Sequence, residues 1–194
     1  TNPNGDGSGT VNFGLFDLVL LDGGSGNDTI SFEESTTDGA VLRLTTGGAV
    51  NFENLRGTSS SETLHGDDNA NVIMGLSGND VIYGYGGNDQ LNAGAGDDAL
   101  YGGSGSDDLQ AGSGDDLIDG GDGSDTLYGD TGIDTFVLRT NDSGIDTITD
   151  FTDGTDVIGL DLPSGSDFND LEIEQVGANT TVSYGGITEL ILTS

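Results

Sequence analysis

The chain has 194 residues and a formal net charge of -32, because 35 Asp and Glu residues stand against three Arg and no Lys. Such a chain has no basic surface to neutralise phosphate, so nucleic acid is excluded as a partner, and an anionic membrane would repel it. It has no cysteine for a disulfide or a thiolate metal site. It also lacks the roughly 18-residue apolar run of a membrane-spanning helix.

The N-terminal third is less regular than the middle of the chain. Residues 1–21 form an N-terminal flank, and residues 22–65 are predicted to form irregular coils that cap the start of a repeat array. Within them, residues 33–47 are expected to be an excursion outside the regular fold. His65, the only histidine, is expected to be an exposed residue without a metal-binding role.

A nine-residue unit then repeats eight times from Gly66 without insertion or deletion. Position four is glycine in every unit except the first. Position eight is a large apolar residue throughout. Position six is Asn71 in the first unit and aspartate afterwards, at Asp80, Asp89, Asp98, Asp107, Asp116, Asp125 and Asp134.

One apolar residue in nine fits neither a helix nor a long alternating strand. We predict a six-residue glycine turn followed by a three-residue strand whose middle residue points inward. Two units return the chain to its starting side, so successive 18-residue coils pair as parallel strands about 4.8 Å apart. The fold class is therefore all-β, a parallel β-roll with two facing interior ladders. These are Ile73, Leu91, Leu109 and Leu127, and Ile82, Leu100, Ile118 and Phe136.

Aspartates 18 residues apart stack along the two edges of such a roll, three gaps to an edge. Stacked like charges repel, and a hard divalent cation in each gap reverses the sign by taking carboxylate and carbonyl oxygens from both turns. Calcium suits flexible oxygen ligands better than Mg²⁺ or Zn²⁺. Residues 66–137 carry 15 acidic and no basic side chains, so six Ca²⁺ would bring their charge from -15 to -3.

Three extra residues follow the eighth unit and shift the nine-residue register, a change termed the slip, and the units beyond them match the pattern less closely. Units reappear as "NDSGIDTIT" from Asn141 and "FTDGTDVIG" from Phe151, which extends the predicted roll to residues 66–159. Residues 160–194 alternate apolar and polar side chains around the turns "GAN" and "GG". This pattern predicts two or three antiparallel strands that cap the open C-terminal end of the roll.

The pattern G-G-x-G-x-D-x-U-x, with U a large aliphatic residue, resembles the RTX (repeats-in-toxin) nonapeptide. Flanking stretches at 20–32, 50–67 and 134–162 resemble the C-terminal domains of serralysin-type secreted proteases. The resemblance implies a right-handed parallel β-roll that binds roughly seven to nine Ca²⁺ ions through position-six aspartates and turn carbonyls. It implies further carboxylate ligands at Asp142, Asp146 and Asp156.

The resemblance also implies that Asp28 and Glu53 share one calcium ion with the carbonyls of Gly24, Gly26 and Asn51. The other carbonyl ligands that it implies are Gly75, Ser77, Gly78, Gly84, Gly86, Gly87, Gly94, Gly96, Gly103, Gly105, Gly112, Gly114, Gly121 and Gly123.

Secretion is a further implication of the resemblance. It points to export through type I secretion machinery, unfolded where calcium is scarce, with folding outside the cell or at its surface. The export signal is then expected within residues 160–194. The chain is expected to be a segment of a longer protein whose upstream domains are its partners, and its function to be calcium-coupled folding that stabilises that protein.

Other classes of function fit the sequence less well. The chain has no H-E-x-x-H, no G-x-S-x-G, no cysteine and one histidine, so it is not expected to be an enzyme and any catalytic domain would lie upstream. The alternative is a calcium-dependent adhesive or polysaccharide-binding module of an adhesin or alginate-epimerase-like protein. In that case Tyr83 and Tyr101, neighbours on the outer face, are candidates for contact with the glycan.

Overall fold

The computed structural model of the chain describes residues 10–12, 29–31, 40–43, 52–140, 143–162, 171–177, 179–184 and 187–193. These ranges contain 18 strands and no helix, and hence no helix able to cross a membrane. The first nine strands, β1 to β9, are Thr10–Asn12, Thr29–Ser31, Ala40–Arg43, Asn54–Arg56, Glu62–His65, Val72–Ser77, Val81–Gly86, Gln90–Ala95 and Ala99–Ser104. The others, β10 to β18, are Asp108–Ser113, Leu117–Asp122, Thr126–Thr131, Thr135–Arg139, Asp146–Ile148, Val157–Asp161, Leu171–Val176, Asn179–Tyr184 and Ile187–Leu192.

The strands form two sheets, between which the chain alternates from β2 to β15. One has the order β1-β2-β4-β6-β8-β10-β12-β14-β18-β17-β16, and the other β15-β13-β11-β9-β7-β5-β3. Ile73 pairs with Leu91, and Leu91 with Leu109, so one coil takes 18 residues. The predicted all-β parallel β-roll is confirmed.

The predicted position-eight ladders form the centre of the core. All eight of these side chains are at most 1% exposed. Position one also points inward, since Ala93 and Ala111 are fully buried. The sequence reading missed this second inward position. Glycine or alanine fills it because the position-six carboxylate and a carbonyl oxygen of the next coil crowd the site, as Asp80 and Ala93 do beside Gly75.

The strands are longer than predicted. Those of the regular array have six residues, such as Val81–Gly86, and run from position seven to position three of the next unit. The expected six-residue turn is therefore only three residues long. The extra pairing arises because the residue at position two, most often glycine, adopts a positive φ, for example 113° at Gly103, which lets adjacent coils continue side by side.

Parallel pairing continues N-terminal to the regular array. Leu55 pairs with Ile73, and Leu64 with Ile82, so the chain before Gly66 forms coils as well. In these coils Glu53 and Glu62 stand two residues before the inward leucine, where the later units have aspartate. β3 lies within the supposed excursion of residues 33–47, yet it pairs with β5. The prediction of an excursion is wrong for β3, because the edge of the sheet offers its backbone hydrogen-bond partners that sequence periodicity does not reveal.

His65 is not exposed, contrary to the sequence expectation. It is 7% exposed, its ring stacks on Tyr83 with centroids 5.0 Å apart, and its Nδ1 lies 2.8 Å from the hydroxyl oxygen of Tyr85. Residues one coil apart lie side by side, which places the imidazole on an aromatic neighbour.

The three-residue slip and the C-terminal cap are both accommodated by the sheets. Leu127 pairs with Ile148 and Phe136 with Ile158, so the ladders continue past the slip. The cap is an antiparallel set, β16-β17-β18, as predicted. β18 also pairs in parallel with β14, which joins the cap to the last coil of its sheet.

Candidate metal centre

Each position-six aspartate is tied to the turn one coil earlier. The amide of Asp98 donates a hydrogen bond of 2.7 Å to Oδ1 of Asp116, and the amide of Asp89 one of 2.8 Å to Oδ1 of Asp107. The same bond runs along both edges, from Glu62 to Asp80, Asp80 to Asp98 and Asp116 to Asp134, and from Asn71 to Asp89 and Asp107 to Asp125. The aspartates therefore stack as predicted, and each also satisfies a backbone donor.

The second carboxylate oxygen, Oδ2, takes no part in this ladder of hydrogen bonds. Within the described residues, Oδ2 is buried and accepts no hydrogen bond at Asp80, Asp89, Asp98, Asp107 and Asp116. These side chains are only 1–3% exposed. A buried charged oxygen without a partner is costly, so something must compensate for it.

A carbonyl oxygen of the following turn lies near this Oδ2 atom. The point that a Cβ would occupy on Gly84 lies 2.3 Å from Oδ2 of Asp89 and 2.5 Å from the carbonyl oxygen of Gly102. Beside Gly75, the corresponding distances are 2.3 Å to Oδ2 of Asp80 and 2.7 Å to the carbonyl oxygen of Ala93. Beside these glycines, two successive turns thus direct oxygens at one small space.

Further carbonyls face the next turn at positions two and four. The carbonyl oxygen of Gly87 lies 1.6 Å from where a Cβ would stand on Gly105, whose φ is 137°. The predicted carbonyls that lie against a neighbouring turn in this way are Gly75, Gly78, Gly84, Gly87, Gly94, Gly96, Gly103, Gly105, Gly114 and Gly123. Those of Ala93, Gly102 and Gly120 at position one do so too and were not predicted.

Ser77 and Gly86 occupy position three. At that position elsewhere in the array the carbonyl accepts a backbone hydrogen bond, as Ser113 does from the amide of Gly96 at 2.7 Å. Position-three carbonyls are therefore weaker candidates for metal ligands than those at positions one, two and four.

Burial of the carboxylates raises their proton affinity. It raises the pKa of Asp80, Asp89 and Asp116 from 3.8 to about 7 and that of Asp134 to about 6. Hydrogen bonds from backbone amides lower these pKa values in part, and the charges of nearby acidic side chains raise them further. A cation in the gap would supply the positive charge that these groups lack.

The donor set suits a hard cation. Among the described residues no three His, Asp or Glu side chains converge on one point, so a metal here must draw on backbone carbonyls as well. Six to eight carboxylate and carbonyl oxygens in a flexible arrangement are the usual environment of Ca²⁺. The buried Oδ2 atoms and the carbonyls beside them fit calcium.

Position five carries a second ladder that sequence reasoning missed. The amide of Asp97 donates to Oδ1 of Asn79 at 3.1 Å, and the amide of Asp115 to Oδ1 of Asp97 at 3.1 Å. Ser106 likewise donates to Oδ1 of Asn88 on the other edge. The signal was the run of short polar residues at position five, Asn79, Asn88, Asp97, Ser106, Asp115 and Ser124.

Some of the ligands predicted outside the regular array lie on its edges, and others do not. Asp146 and Asp156 join the two edges beyond the slip, since their Oδ1 atoms accept the amides of Asp125 and Asp134. Glu53 is half-buried, and its carbonyl accepts the amide of Val72 at 2.9 Å. Asp142, Asp28, Gly24, Gly26 and Asn51 lie outside the described residues.

The two candidate tyrosines stack on one another. Tyr83 and Tyr101 have ring centroids 4.9 Å apart and an interplanar angle of 9°, and His65 covers the other side of Tyr83. Ring faces therefore point along the axis of the roll, and Tyr83 offers a ligand only its edge. Beyond Tyr101 lies a groove of about 230 Å³ lined also by Asp119 and Arg139.

Fold and site together define a metal-binding parallel β-roll. Comparison with protein families matches residues 20–33, 57–100 and 101–136 to the family described as RTX calcium-binding nonapeptide repeat, in four copies. These residues are RTX calcium-binding repeats, which form a structural calcium-binding module. No match was found among curated proteins.

Proposed function

We propose that this chain is a secreted module that folds when it binds several Ca²⁺ ions after export and thereby stabilises a larger exported protein. The single observation that supports it best is the row of buried Oδ2 atoms that accept no hydrogen bond from the described residues, which at Asp80, Asp89 and Asp107 lie beside a carbonyl oxygen of the following turn. The proposed carboxylate ligands are Asp80, Asp89, Asp98, Asp107, Asp116, Asp125, Asp134 and Asp146.

Calcium removal should unfold the roll because its apolar core is thin. A coil contributes two large buried residues, such as Ile82 and Leu91, and much glycine. Ordering the backbone costs roughly 1–2 kcal/mol per residue, which this burial does not offset. The buried carboxylates add repulsion, so the folded state without metal is disfavoured.

Binding free energy then becomes folding free energy. With free calcium about tenfold above the dissociation constant, each site stabilises the fold by about 1.4 kcal/mol. Six sites together give about 8 kcal/mol, which is comparable with the whole stability of an ordinary domain. Dissociation constants of about 10⁻⁴ to 10⁻³ M are typical of extracellular calcium modules, so millimolar calcium is enough to switch folding.

This calcium threshold supports the proposed link to export. A chain that stays unfolded at low calcium could pass a type I exporter, and it would fold only after reaching calcium outside. The partners we propose are the secretion machinery and the upstream domains of a parent chain.

Circular dichroism with a chelator and with millimolar calcium tests the proposal. We expect a largely unstructured spectrum with chelator and a β-sheet spectrum with calcium, with a cooperative midpoint near 10⁻⁴ to 10⁻³ M. Magnesium at the same concentration is the matched control and should not fold the chain, because it demands a tight octahedron. A full β-sheet spectrum after exhaustive chelation would refute calcium-coupled folding.

The groove beside Tyr101 favours a second candidate, contact with a polysaccharide. One face of Tyr101 borders the groove, where Asp119 and Arg139 provide polar groups for hydroxyls. Tyr101→Ala in the calcium-loaded module should then weaken binding to an acidic polysaccharide. Tyr83→Ala is the comparison, since the stacked Tyr83 has no free face, and equal binding by both variants and the unchanged chain would dismiss this candidate.

A further inference from the structure

We infer that the position-six side chains of three turns of the roll, 57–62, 66–71 and 151–156, bind no metal, because a hydrogen bond within each turn takes the place of the ion. These three turns, termed the closed turns, lie at the two ends of the array. The inference rests on the proposed calcium binding and states where the calcium columns begin and end. It is not evident from the repeat pattern, because the family match includes the first two of these turns.

In the first closed turn, the position-six residue is Glu62, which is 2% exposed. Its Oε2 accepts the amide of Thr58 at 3.1 Å, and its Oε1 accepts the hydroxyl of Thr58. The hydroxyl oxygen of Thr58 also accepts the amide of Ser60 at 3.1 Å. Both carboxylate oxygens are therefore satisfied within the turn.

The second closed turn has the same network on the other edge. Oδ1 of Asn71 accepts the amide of Asp67 at 2.8 Å, and Oδ1 of Asp67 accepts the amide of Asn69 at 2.9 Å. In both turns the position-two amide donates to the position-six side chain, and the position-two side chain accepts the position-four amide. Asn71 is also neutral and contributes no charge to attract a cation.

The third closed turn lies beyond the slip. Oδ2 of Asp156 accepts the amide of Thr152 at 2.8 Å, while Oδ1 accepts the amide of Asp134 at 3.2 Å. Thr152 is the position-two residue of this unit, so the same donor closes the turn. Asp156 was predicted as a calcium ligand from resemblance alone, and this hydrogen bond assigns it a different role.

The turns between them are open in the corresponding place. There, among the described residues, Oδ2 of Asp80, Asp89, Asp98, Asp107 and Asp116 accepts no hydrogen bond. Position two of an open turn has a positive φ, for example 79° at Tyr85 and 107° at Gly94, whereas Thr58 and Asp67 are not in that region. The backbone conformation at position two therefore decides whether its amide points at the position-six oxygen.

The geometry beside position one shows that the oxygen hydrogen-bonded in a closed turn occupies the same place as the Oδ2 atom of an open turn. The point that a Cβ would occupy on Gly66 lies 2.4 Å from Oδ1 of Asn71 and 2.6 Å from the carbonyl oxygen of Gly84. This matches the pair beside Gly75 in an open turn, where the distances are 2.3 and 2.7 Å. In the closed turn an N–H hydrogen already lies against that oxygen, and its partial positive charge replaces and repels a cation.

Counting bound calcium tests the inference. We would saturate the chain with Ca²⁺ and determine the number of ions by native mass spectrometry for the unchanged chain, Asp98→Asn, Asp156→Asn and Glu62→Gln. Each substitution removes one charge and keeps one oxygen. Asp98→Asn should lose at least one ion, whereas Asp156→Asn and Glu62→Gln should bind as many ions as the unchanged chain.

Loss of an ion by Asp156→Asn or Glu62→Gln with an unchanged circular dichroism spectrum would overturn the inference. If a variant fails to fold, the anomalous signal of calcium in crystals of the unchanged chain decides. An ion within about 2.3–2.6 Å of a side-chain oxygen of Glu62, Asn71 or Asp156 would also overturn it. A chain that binds no calcium at all refutes the proposed function instead, so the two failures are distinguishable.

Discussion

The amide of Asp89 donates a 2.8 Å hydrogen bond to Oδ1 of Asp107, one full coil later in the chain, while Oδ2 of Asp107 is buried and accepts none from the described residues. One side chain thus holds two coils together and leaves one oxygen for a cation. These two tasks can be separated by substitution.

Asp107→Ala should raise the calcium midpoint more than Asp134→Ala. Asp107 lies in the middle of its stack and is flanked by coils that depend on it, whereas Asp134 lies near the end. Calcium titration followed by circular dichroism measures both midpoints. Equal shifts would contradict the stacked arrangement.

Asp107→Asn separates the ligand charge from the hydrogen bond. The amide oxygen of Asn can still accept the amide of Asp89, so unfolding at saturating calcium should cost less than in Asp107→Ala. The alanine variant leaves that amide buried without a partner, which costs a further 1–3 kcal/mol or so. Urea denaturation at saturating calcium measures the difference, and indistinguishable variants would show that the bond contributes nothing.

Three glycine substitutions separate backbone strain from crowding. Gly159→Ala should be tolerated to within about 0.5 kcal/mol, because its added Cβ would lie no closer than 3.4 Å to a neighbour. Gly154→Ala should cost about 1 kcal/mol, because its φ is 81° but nothing lies within 4 Å. Gly105→Ala combines a φ of 137° with the carbonyl oxygen of Gly87 at 1.6 Å and should cost at least about 2–3 kcal/mol.

Thermal unfolding at saturating calcium ranks the three glycine variants. If Gly105→Ala were no less stable than Gly154→Ala, the close approach of successive turns at position four would be disproved.

Acid should stabilise the metal-free roll. The pKa of Asp80, Asp89 and Asp116 is about 7 in the fold against an ordinary 3.8. The folded state therefore binds protons more tightly than the unfolded state does. Its stability is greatest below pH 4 and is lost as the pH rises through about 7. With chelator, circular dichroism should report more β-structure at pH 5 than at pH 8.

Calcium should reverse the sign of that pH dependence. Protons compete with Ca²⁺ for the same carboxylates, so lowering the pH from 8 to 5 should raise the calcium midpoint. A chelated chain that lost structure on acidification would contradict the assignment of raised pKa values to the buried aspartates.

Arg139 should stabilise the roll without affecting calcium. Its Nε lies 2.9 and 3.0 Å from the two carboxylate oxygens of Asp119, which is 4% exposed. Arg139→Ala leaves that carboxylate buried without its guanidinium and should cost about 1–3 kcal/mol, given that Arg139 is partly exposed. The number of bound ions should not change.

A double-mutant cycle with Asp119→Ala isolates the ion pair. The double variant should lose less stability than the sum of the two single variants, as measured by urea denaturation at saturating calcium. Additive losses would mean that the two side chains act independently.

Much of the fold and site could be predicted from the sequence because of its strict period. With one large apolar residue in every nine, only one alignment of the units places Leu91 and Leu109 in the same core. The same alignment stacks the position-six aspartates, because they share the 18-residue spacing. The prediction failed where the nine-residue period gives no information. β3 pairs through its backbone, and His65 is buried by the tyrosine beside it.

Residue type and spacing alone were enough to predict the 18-residue coil, the two apolar ladders and the choice of oxygen donors suited to calcium. The folded coordinates were needed to tell which oxygen of each carboxylate binds the preceding coil and which remains for a metal. They were also needed to separate open turns such as that of Asp98 from closed turns such as that of Glu62. The reason is that the direction of a hydrogen bond depends on the backbone conformation and on the residue stacked one coil away. Both differ between units that have the same spacing.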